Sequence, residues 1–552
     1  MRVVIPGAGP LTFESPVRVL RAHRAEHVEP ALLAAQDACE RGLYCAGYIS
    51  YEAGSGGERP LLALGLYREP LRGRPEAPSN DFTMGVLRPR ITRDAYGRAV
   101  REIARAIYDG DVYQVNYTVP FDFAFKGDPY ALFCELLARS AVSHAAYIED
   151  GNLTLLSLSP ELFLEIDGRR ITTKPMKGTA PLDRLERLHD PKNRAEHLMI
   201  VDLLRNDLHR ICSDVTVPEL YSVETYPTFA TMTSTVRGTL QTGATLSDIF
   251  RATFPCGSIT GAPKHAAMQA IAQAEASPRE MYTGTIGYQS PSGYGRWNVA
   301  IRTLQIDTEK ARGRFDAGGG IVADSSAADE WDEIVLKSRF LESTATPFAL
   351  LETFAAGASA QTIDAHFARL ARSAAHFGIP ADVEGIRASV AALRAASSLL
   401  IRLRVEWDGT FSMRTEDVAT PLAPVRICLV PRIARSGDPL SQHKSSWRKA
   451  YDGALAQAVR AGCFEAILSN ERDELVEGTR TSLFVEIDGT LLTPPRTSGA
   501  LPGILRETLL RQGRCTEQVL YEPDLHRASA VYVGNSARGL LRAELAKELT
   551  GV

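Results

Sequence analysis

Two hydrophobic periods alternate along this chain. Short, nearly continuous apolar runs at 153–158, 162–166 and 299–306 predict strands. Between them, 194–211 spaces Leu198, Val201, Leu204, Leu208 and Ile211 for one apolar helix face. A second helix is predicted from Asp324 and Ser325, which read as N-cap residues, to about Leu341. Near Thr344-Ala345-Thr346-Pro347 the pattern restarts. A strand-like run at 348–354 leads to a helix at 364–377 and an alanine-rich helix, and strands are predicted again at 399–407 and 425–430. Mixed strands and helices give an α/β (α+β) fold class, with domains predicted over 1–345 and 346–552.

Length agrees with that division. The 552 residues exceed one hydrophobic core, and two to four domains are expected at roughly 100–200 residues each. Hydrophobic residues at 45% and charged residues at 23% are ordinary globular values. A net charge of −4 without a long basic run argues against nucleic-acid and membrane-surface partners. No run of about 18 apolar residues predicts a membrane span. Residues 1–7 lack the apolar core of a signal peptide. The eight cysteines are scattered, with no Cys-x-x-Cys pair, so they read as buried thiols in a reducing compartment. The expected location is cytoplasmic.

One lysine stands out in Thr173-Lys174-Pro175-Met176-Lys177-Gly178-Thr179. Pro175 fixes its own φ and Gly178 permits a turn, so the segment can hold an amine rigidly. Free lysine titrates at about 10.4, so a nucleophilic Lys177 needs surroundings that lower this by several units. Taken alone, the segment is better explained by a surface lysine beside a turn. Other segments add polar groups with room for a small anion. The hydroxyl- and glycine-rich 257–264 (GSITGAPK) and Gly318-Gly319-Gly320 offer backbone N–H groups to a carboxylate. Glu330, Glu333 and Lys337 share one face of the second helix, and Glu196 lies in the first turn of the earlier one. Two helices offering carboxylates can hold Mg²⁺.

In order, these segments resemble the chorismate-utilising enzymes over nearly all of 85–342. The resemblance rests on 110–116 (GDVYQVN), Ser159-Pro160-Glu161, Pro175 through Thr179, 196–207 (EHLMIVDLLRND), GSITGAPK and 318–325 (GGGIVADS). It implies that fold, with large β-sheets and flanking helices. Gln114, where water-adding members carry lysine, points to an amine-adding member. Lys177, where anthranilate synthases carry alanine, resembles the aminodeoxychorismate synthases (component I). The resemblance implies Mg²⁺ on Glu196 and Glu333 with Glu330 assisting, a covalent Lys177 adduct, and Glu161 as general acid. It implies chorismate contacts from Gln114, Thr179, Thr260, Gly261, Tyr282, Arg302, Gly318, Gly319, Gly320 and Lys337. Two positions depart from the pattern. Thr231 stands where many members have a supporting histidine, and Asn193 where some have an outer-shell acid. The N-terminal region is shorter than in long relatives, which argues against a tryptophan-binding regulatory site. No segment resembles a glutaminase, so a glutamine amidotransferase partner is expected to supply ammonia.

After residue 345, Lys444, Glu477 and the turn Leu501-Pro502-Gly503-Ile504 are the parts pyridoxal phosphate requires: an amine, an acid and a phosphate-binding backbone. With His366-Phe367-Ala368-Arg369-Leu370 and Val533-Gly534-Asn535-Ser536, they resemble the fold-type IV pyridoxal-phosphate enzymes over about 350–541. Those include branched-chain and D-amino acid aminotransferases and aminodeoxychorismate lyases. The resemblance implies phosphate binding by Arg369, Gly503 and Ile504, a phosphate or substrate contact from Asn535 and Ser536, the cofactor on Lys444, and Glu477 at the pyridine nitrogen. A homodimer through this part is compatible with that family. Ser482 stands where asparagine is common and Leu505 where threonine is frequent. Joined, the halves imply chorismate conversion to 4-amino-4-deoxychorismate and then to 4-aminobenzoate, a folate precursor. The alternatives are an aminotransferase or a non-catalytic docking module in the second half. Anthranilate synthesis is disfavoured by Lys177.

Overall fold

The computed structural model describes residues 1–546 apart from 8, 55–58, 77–80, 141, 181, 226–229, 394–398 and 418–420. The chain forms two compact units, Met1–Ala345 and Thr346–Val552.

The first unit is built on two large, mostly antiparallel sheets. In one, the long strand Gln114–Gly127 pairs with Arg312–Ile321, which pairs with Thr303–Asp307 and then Leu153–Ser157. In the other, Met176–Ala180 pairs with Ala230–Leu240, which also holds Arg170–Lys174. Val3, Phe13, Ile148 and Leu155 of the first sheet form one core with Tyr48, Ala63, Tyr67 and Ile286 of the second. The first sheet's other core packs Phe121, Phe123 and Phe315 with Val100, Leu136 and Ile334 from helices Arg93–Tyr108, Pro129–Ser140 and Ala327–Ser338. The second sheet's packs Phe163, Val236 and Trp297 with Val201, Leu204 and Ile249 from helices Pro191–His209 and Leu246–Thr253. The result is four layers, helix–sheet–sheet–helix. Each fully buried large apolar side chain contributes about 1.5–3 kcal/mol.

Several predicted elements are modified. The run 299–306 is not one strand. Tyr294–Asn298 belongs to the second sheet and Thr303–Asp307 to the first, and the chain crosses between them at 299–302, where Arg302 takes φ +48°. An apolar run carries no mark of a change of sheet. The helix Pro191–His209 buries Val201, Leu204 and Leu208, but Leu198 is 46% exposed. The later helix starts at Ala327 with Ser326 as N-cap, and its last predicted turn is a 3₁₀ segment, Arg339–Thr344. Ser325 instead accepts from the Val322 N–H and donates to Glu330.

The second unit holds a three-stranded sheet, Ala349–Ala355, Leu399–Glu406 and Phe411–Asp417. The helix Ala360–Phe377 follows its first strand and ends at Gly378 in the left-handed region (φ +65°), where glycine is the least strained residue. A mixed sheet, eight strands among the described residues, centres on Val425–Val430, which is parallel to both neighbours. Glu465 lies fully buried in it. The N–H groups of Ala466, Thr479 and Arg480 and the hydroxyls of Thr479 and Thr481 all donate to its carboxylate. That removes the cost of burying the charge and fixes 479–481 beside Glu477.

Candidate active site

In the first unit, the register of Met176–Ala180 against Ala230–Leu240 slips between Lys177 and Thr179. Gly178 takes φ +71° there, so the expected turn is a β-bulge, which re-aims the neighbouring side chain. The Thr231 hydroxyl donates to the Gly178 carbonyl (2.7 Å) and ties the bulge to the next strand. Thr179 lies in the same strand; its side chain is outside the described residues.

The Lys177 amine is held below its ordinary range. Burial is the main cause and Lys337 adds to it, while Glu196, Glu161 and Glu333 pull the other way. Gln114 is buried, and Gly320 brings it to the lysine. A Cβ at Gly320 would lie 2.2 Å from Gln114 Nε2 and 3.3 Å from Lys177 Nζ, so a larger residue would push the buried Gln114 amide aside. Glu161 is pushed up to about 7 by burial, opposed by the Ser258 hydroxyl, Lys177 and the Met176 N–H. Ser258 Oγ donates to Glu161 Oε1 at 2.6 Å.

Glu330 titrates above its ordinary range, first from burial and then from Glu333 and Glu196. Lys337 forms an ion pair with Glu333 (2.7 Å) and donates to the Gly318 carbonyl (2.7 Å). Among the described residues, no three His, Cys, Asp or Glu side chains lie close enough to hold a metal by themselves. Mg²⁺ usually takes one or two carboxylates and completes its shell with water and ligand oxygens, so the acid-rich donor set fits.

Two expected contacts are already engaged. The Thr260 hydroxyl faces the carbonyls of Cys256 and Gly257 (3.2 Å each), so it braces its own loop. Gly318, Gly319 and Gly320 are ladder residues opposite Thr118, Tyr117 and Asn116, not a loop before the helix. Gly261 sits at φ +141° against the strand of Gln114, where a Cβ would strike the Gln114 carbonyl. Tyr282 is buried, its phenol beside the Gly318 N–H, and Arg302 occupies the crossing between sheets.

Three contributors carry no role in the sequence reading. Ser258 is one. His197 is fully buried with Nε2 2.6 Å from Ser234 Oγ and no hydrogen-bond partner for Nδ1 among the described residues. It is pushed down to about 4 by burial and then by Lys177. An imidazole therefore stands near Lys177 although Thr231 replaces the expected one. Arg279 is buried beneath the site and donates to the Ile259 and Asn116 carbonyls, with Glu275 as counter-ion. In the sequence it is one arginine in a polar stretch, which pattern alone does not separate from a surface residue.

In the second unit, Lys444 is lowered to about 7 by burial, opposed by Glu352 and helped by Arg369, Arg448 and Arg402. Glu477 is raised to about 7 by burial, opposed by the Leu501 N–H (3.2 Å) and the Tyr451 hydroxyl (3.2 Å). Arg369 forms two hydrogen bonds to Glu352 (2.8 and 2.7 Å) and one to the Pro502 carbonyl (3.1 Å). Glu352 also meets His366 Nδ1 (2.6 Å), and His366 Nε2 meets Ser536 Oγ (2.8 Å). Glu352 was missed because an acid in a strand-like run reads as the solvent face.

Two expected phosphate contacts need correction. The Gly503 N–H donates to the Leu501 carbonyl (2.7 Å), which leaves Ile504 at the start of helix Ile504–Arg511 as the first-turn donor. The Asn535 side chain is occupied at both ends: Oδ1 accepts from the N–H groups of Ala537 and Arg538, and Nδ2 donates to the Arg480 carbonyl. A Cβ at Gly503 would lie 2.6 Å from Ser482 Oγ, so glycine lets this turn pack against Ser482. Amine, acid and cradle fit pyridoxal phosphate.

Comparisons with known proteins follow the same division. Residues 65–343 match the model of the chorismate binding enzymes, and residues 350–545 that of amino-transferase class IV. The chain is 38% identical over 276 residues to aminodeoxychorismate synthase component 1 of Escherichia coli K12, covering 47% of this chain and 59% of the relative. It is 37% identical over 292 residues to an anthranilate synthase component 1 of Haloarcula marismortui, covering 50% and 59%. The chain thus spans less than two thirds of the length of these relatives. A crystal structure of anthranilate synthase component I from Streptococcus pneumoniae shares the fold (TM-score 0.52, 24% identity), covering 61% of this chain and 92% of that one. No helix among the described residues is long and apolar enough to cross a membrane. With a class IV amino-transferase module after its first unit, the chain belongs to the chorismate binding enzyme family.

Proposed function

We propose that the chain makes 4-aminobenzoate from chorismate in two steps, one per unit. The observation that carries the first step is Lys177, depressed by burial, beside Gln114 and within reach of a Glu161 that titrates near 7. The Lys177 amine attacks ring C2 while the C4 hydroxyl leaves with the Glu161 proton. Ammonia then adds at C4, and the C2–N bond to lysine breaks. The product is 4-amino-4-deoxychorismate. Glu196 and Glu333, with Glu330 assisting, would hold Mg²⁺, which would neutralise the ring carboxylate. Tyr282, Arg302, Lys337, Thr179, Gly261 and the backbone of 318–320 line the substrate side, and Thr260 braces the loop. The name of the Escherichia coli relative supports amination at C4. The match covers part of that relative, and a glutamine amidotransferase partner is proposed as the ammonia source.

In the second step, pyridoxal phosphate held by Lys444 would supply an electron sink once the substrate amine has displaced the lysine and freed its Nζ. Lys444 takes the C4 proton, the C3–O bond breaks, and the enol of pyruvate leaves and picks up a proton as the ring becomes aromatic. Glu477 would hold the pyridine nitrogen. Arg369 and the Ile504 N–H would hold the phosphate, and Ser536 orients His366 against the Glu352–Arg369 pair. The family model of the second unit also supports a second reading, amino-acid transamination.

The test supplies the full chain with chorismate, Mg²⁺, ammonium and pyridoxal phosphate and identifies the aromatic product. 4-Aminobenzoate with pyruvate is expected. Anthranilate would overturn the assignment of the first unit. Accumulated 4-amino-4-deoxychorismate would overturn that of the second, and a new amino acid made from an added amino donor and keto acid would replace it by transamination.

A further inference from the structure

The helix that follows Lys444 carries a phenol that the steps above do not use. Arg448 is the N-cap of helix Lys449–Arg460, and its guanidinium donates to the Thr479 carbonyl. Glu465 in turn holds the N–H and the hydroxyl of Thr479. The start of the helix is thereby pinned two residues beyond Glu477. Further along, Ala454 and Ala458 pack against Cys428, Ala466 and Leu468, which fixes the rest of it on the sheet. Tyr451 stands in the first turn, with the Arg448 guanidinium beside its ring (5.5 Å). Its hydroxyl donates to Glu477 Oε1 (3.2 Å). A phenylalanine would fill the same space, so the hydroxyl is there for the carboxylate.

The two oxygens of Glu477 are held from two sides. Oε1 accepts from Tyr451, and Oε2 accepts the Leu501 N–H (3.2 Å) in the turn before Gly503. Hydrogen bonds donated to a carboxylate favour its ionised form. Burial opposes them and pushes Glu477 up to about 7, against the Leu501 N–H, Tyr451, Arg448 and Arg506. Arg369 faces it from helix Ala360–Phe377. In a carboxyl so balanced, one hydrogen bond decides the charge near neutral pH. The phenol itself stays a donor, because burial, Glu477 and Asp438 raise it against Arg448. An acid keeps a pyridine nitrogen protonated only while the acid is ionised, and the strength of the electron sink depends on that proton.

We propose that Tyr451 is a positioning residue that holds Glu477 ionised and aimed at the pyridine nitrogen of the cofactor. The inference rests on the pyridoxal-phosphate reading of this unit and applies to elimination and transamination alike.

The test begins with the full chain free of cofactor. Infrared difference spectra against Glu477→Gln isolate the Glu477 carboxyl band, whose midpoint is expected near pH 7. Tyr451→Phe removes a donor to the ionised form, so the midpoint is expected to rise by about one pH unit. In the wild type, near-ultraviolet difference spectra are expected to show a tyrosine shifting with the same midpoint, a signal that Glu477→Gln lacks. That measurement needs no change at Tyr451 and serves if the phenylalanine variant does not fold. Loaded with pyridoxal phosphate, Tyr451→Phe is expected to keep the visible absorbance. With supplied 4-amino-4-deoxychorismate its kcat is expected to fall about tenfold while KM changes less than about threefold, and the acid limb of kcat to move to higher pH. An unmoved Glu477 midpoint in Tyr451→Phe, or a tyrosine spectrum that ignores Glu477, in a chain that binds the cofactor would overturn the proposal alone. A wild-type chain that binds no pyridoxal phosphate would overturn the cofactor reading and the proposal with it.

Discussion

Lys177 and Lys444 are both amines depressed by burial, and their surroundings have opposite sign. Lys177 has three carboxylates in reach, Glu196, Glu161 and Glu333, against Lys337. Lys444 has three arginines, Arg369, Arg448 and Arg402, against Glu352. A surplus of acid calls for a cation, and a surplus of guanidinium calls for anions. The charge left over at each site suits the component proposed for it, a divalent cation in the first unit and a phosphate in the second.

The largest effects should separate the two lysines. Lys177→Ala is expected to lose amination by about a thousandfold or more while conversion of supplied 4-amino-4-deoxychorismate continues. Lys444→Ala is expected to do the reverse, with loss of visible cofactor absorbance. Equal loss of both activities in either variant would break the comparison. Chelation of divalent cations should next abolish the first activity and spare the second, read as product formed from each substrate.

Smaller again is the role of Glu161. Glu161→Gln keeps a partner for Ser258 but cannot give a proton, and a loss of about 10²–10³ in kcat is expected. Burial raises the acid to about 7, so its proton is present below that pH and lost above it. The rate per unit of free ammonia should fall about tenfold per pH unit on the alkaline side, and the glutamine variant should lack that limb. A flat profile in the wild type would assign the proton elsewhere. Gly320→Ala forces the buried Gln114 to move and is expected to cost about 1–3 kcal/mol of stability, seen in thermal melts, along with amination. Thr231→Val removes one hydrogen bond to the bulge. About 1 kcal/mol and less than tenfold in rate are expected, which would rank this brace last.

Much of this was legible because some residues are marked by both pattern and chemistry. Val201, Leu204 and Leu208 are buried as their spacing requires. Leu198 is not, because periodicity gives the direction of a side chain and not whether the core reaches that turn. The strand Val425–Val430 was read to the residue, since a continuous apolar run there is one strand of one sheet. The run at 299–306 looked the same and is a crossing. In the sites, acids and lysines within long motifs stood out, while Ser258, His197 and Glu352 did not. Their importance lies in a partner distant in sequence: Glu161, Ser234 and Arg369. The Gly503 and Asn535 corrections share one cause. Sequence shows that a donor exists, and only the fold shows what already accepts from it.

The crossing at 299–302 has a consequence for motion. Val299 N–H donates to the Glu161 carbonyl, Arg302 accepts from Leu158, and Ala300 exchanges hydrogen bonds with Thr283 and Gly284 beside Tyr282. Glu161 and Tyr282, proposed as general acid and substrate contact, are therefore hinged on the same four residues, which join the two sheets covalently. A local fluctuation cannot free one of them without loosening the other. Amide protons at Val299 and Ala300 should exchange with solvent only when the whole unit opens, among the slowest in the chain.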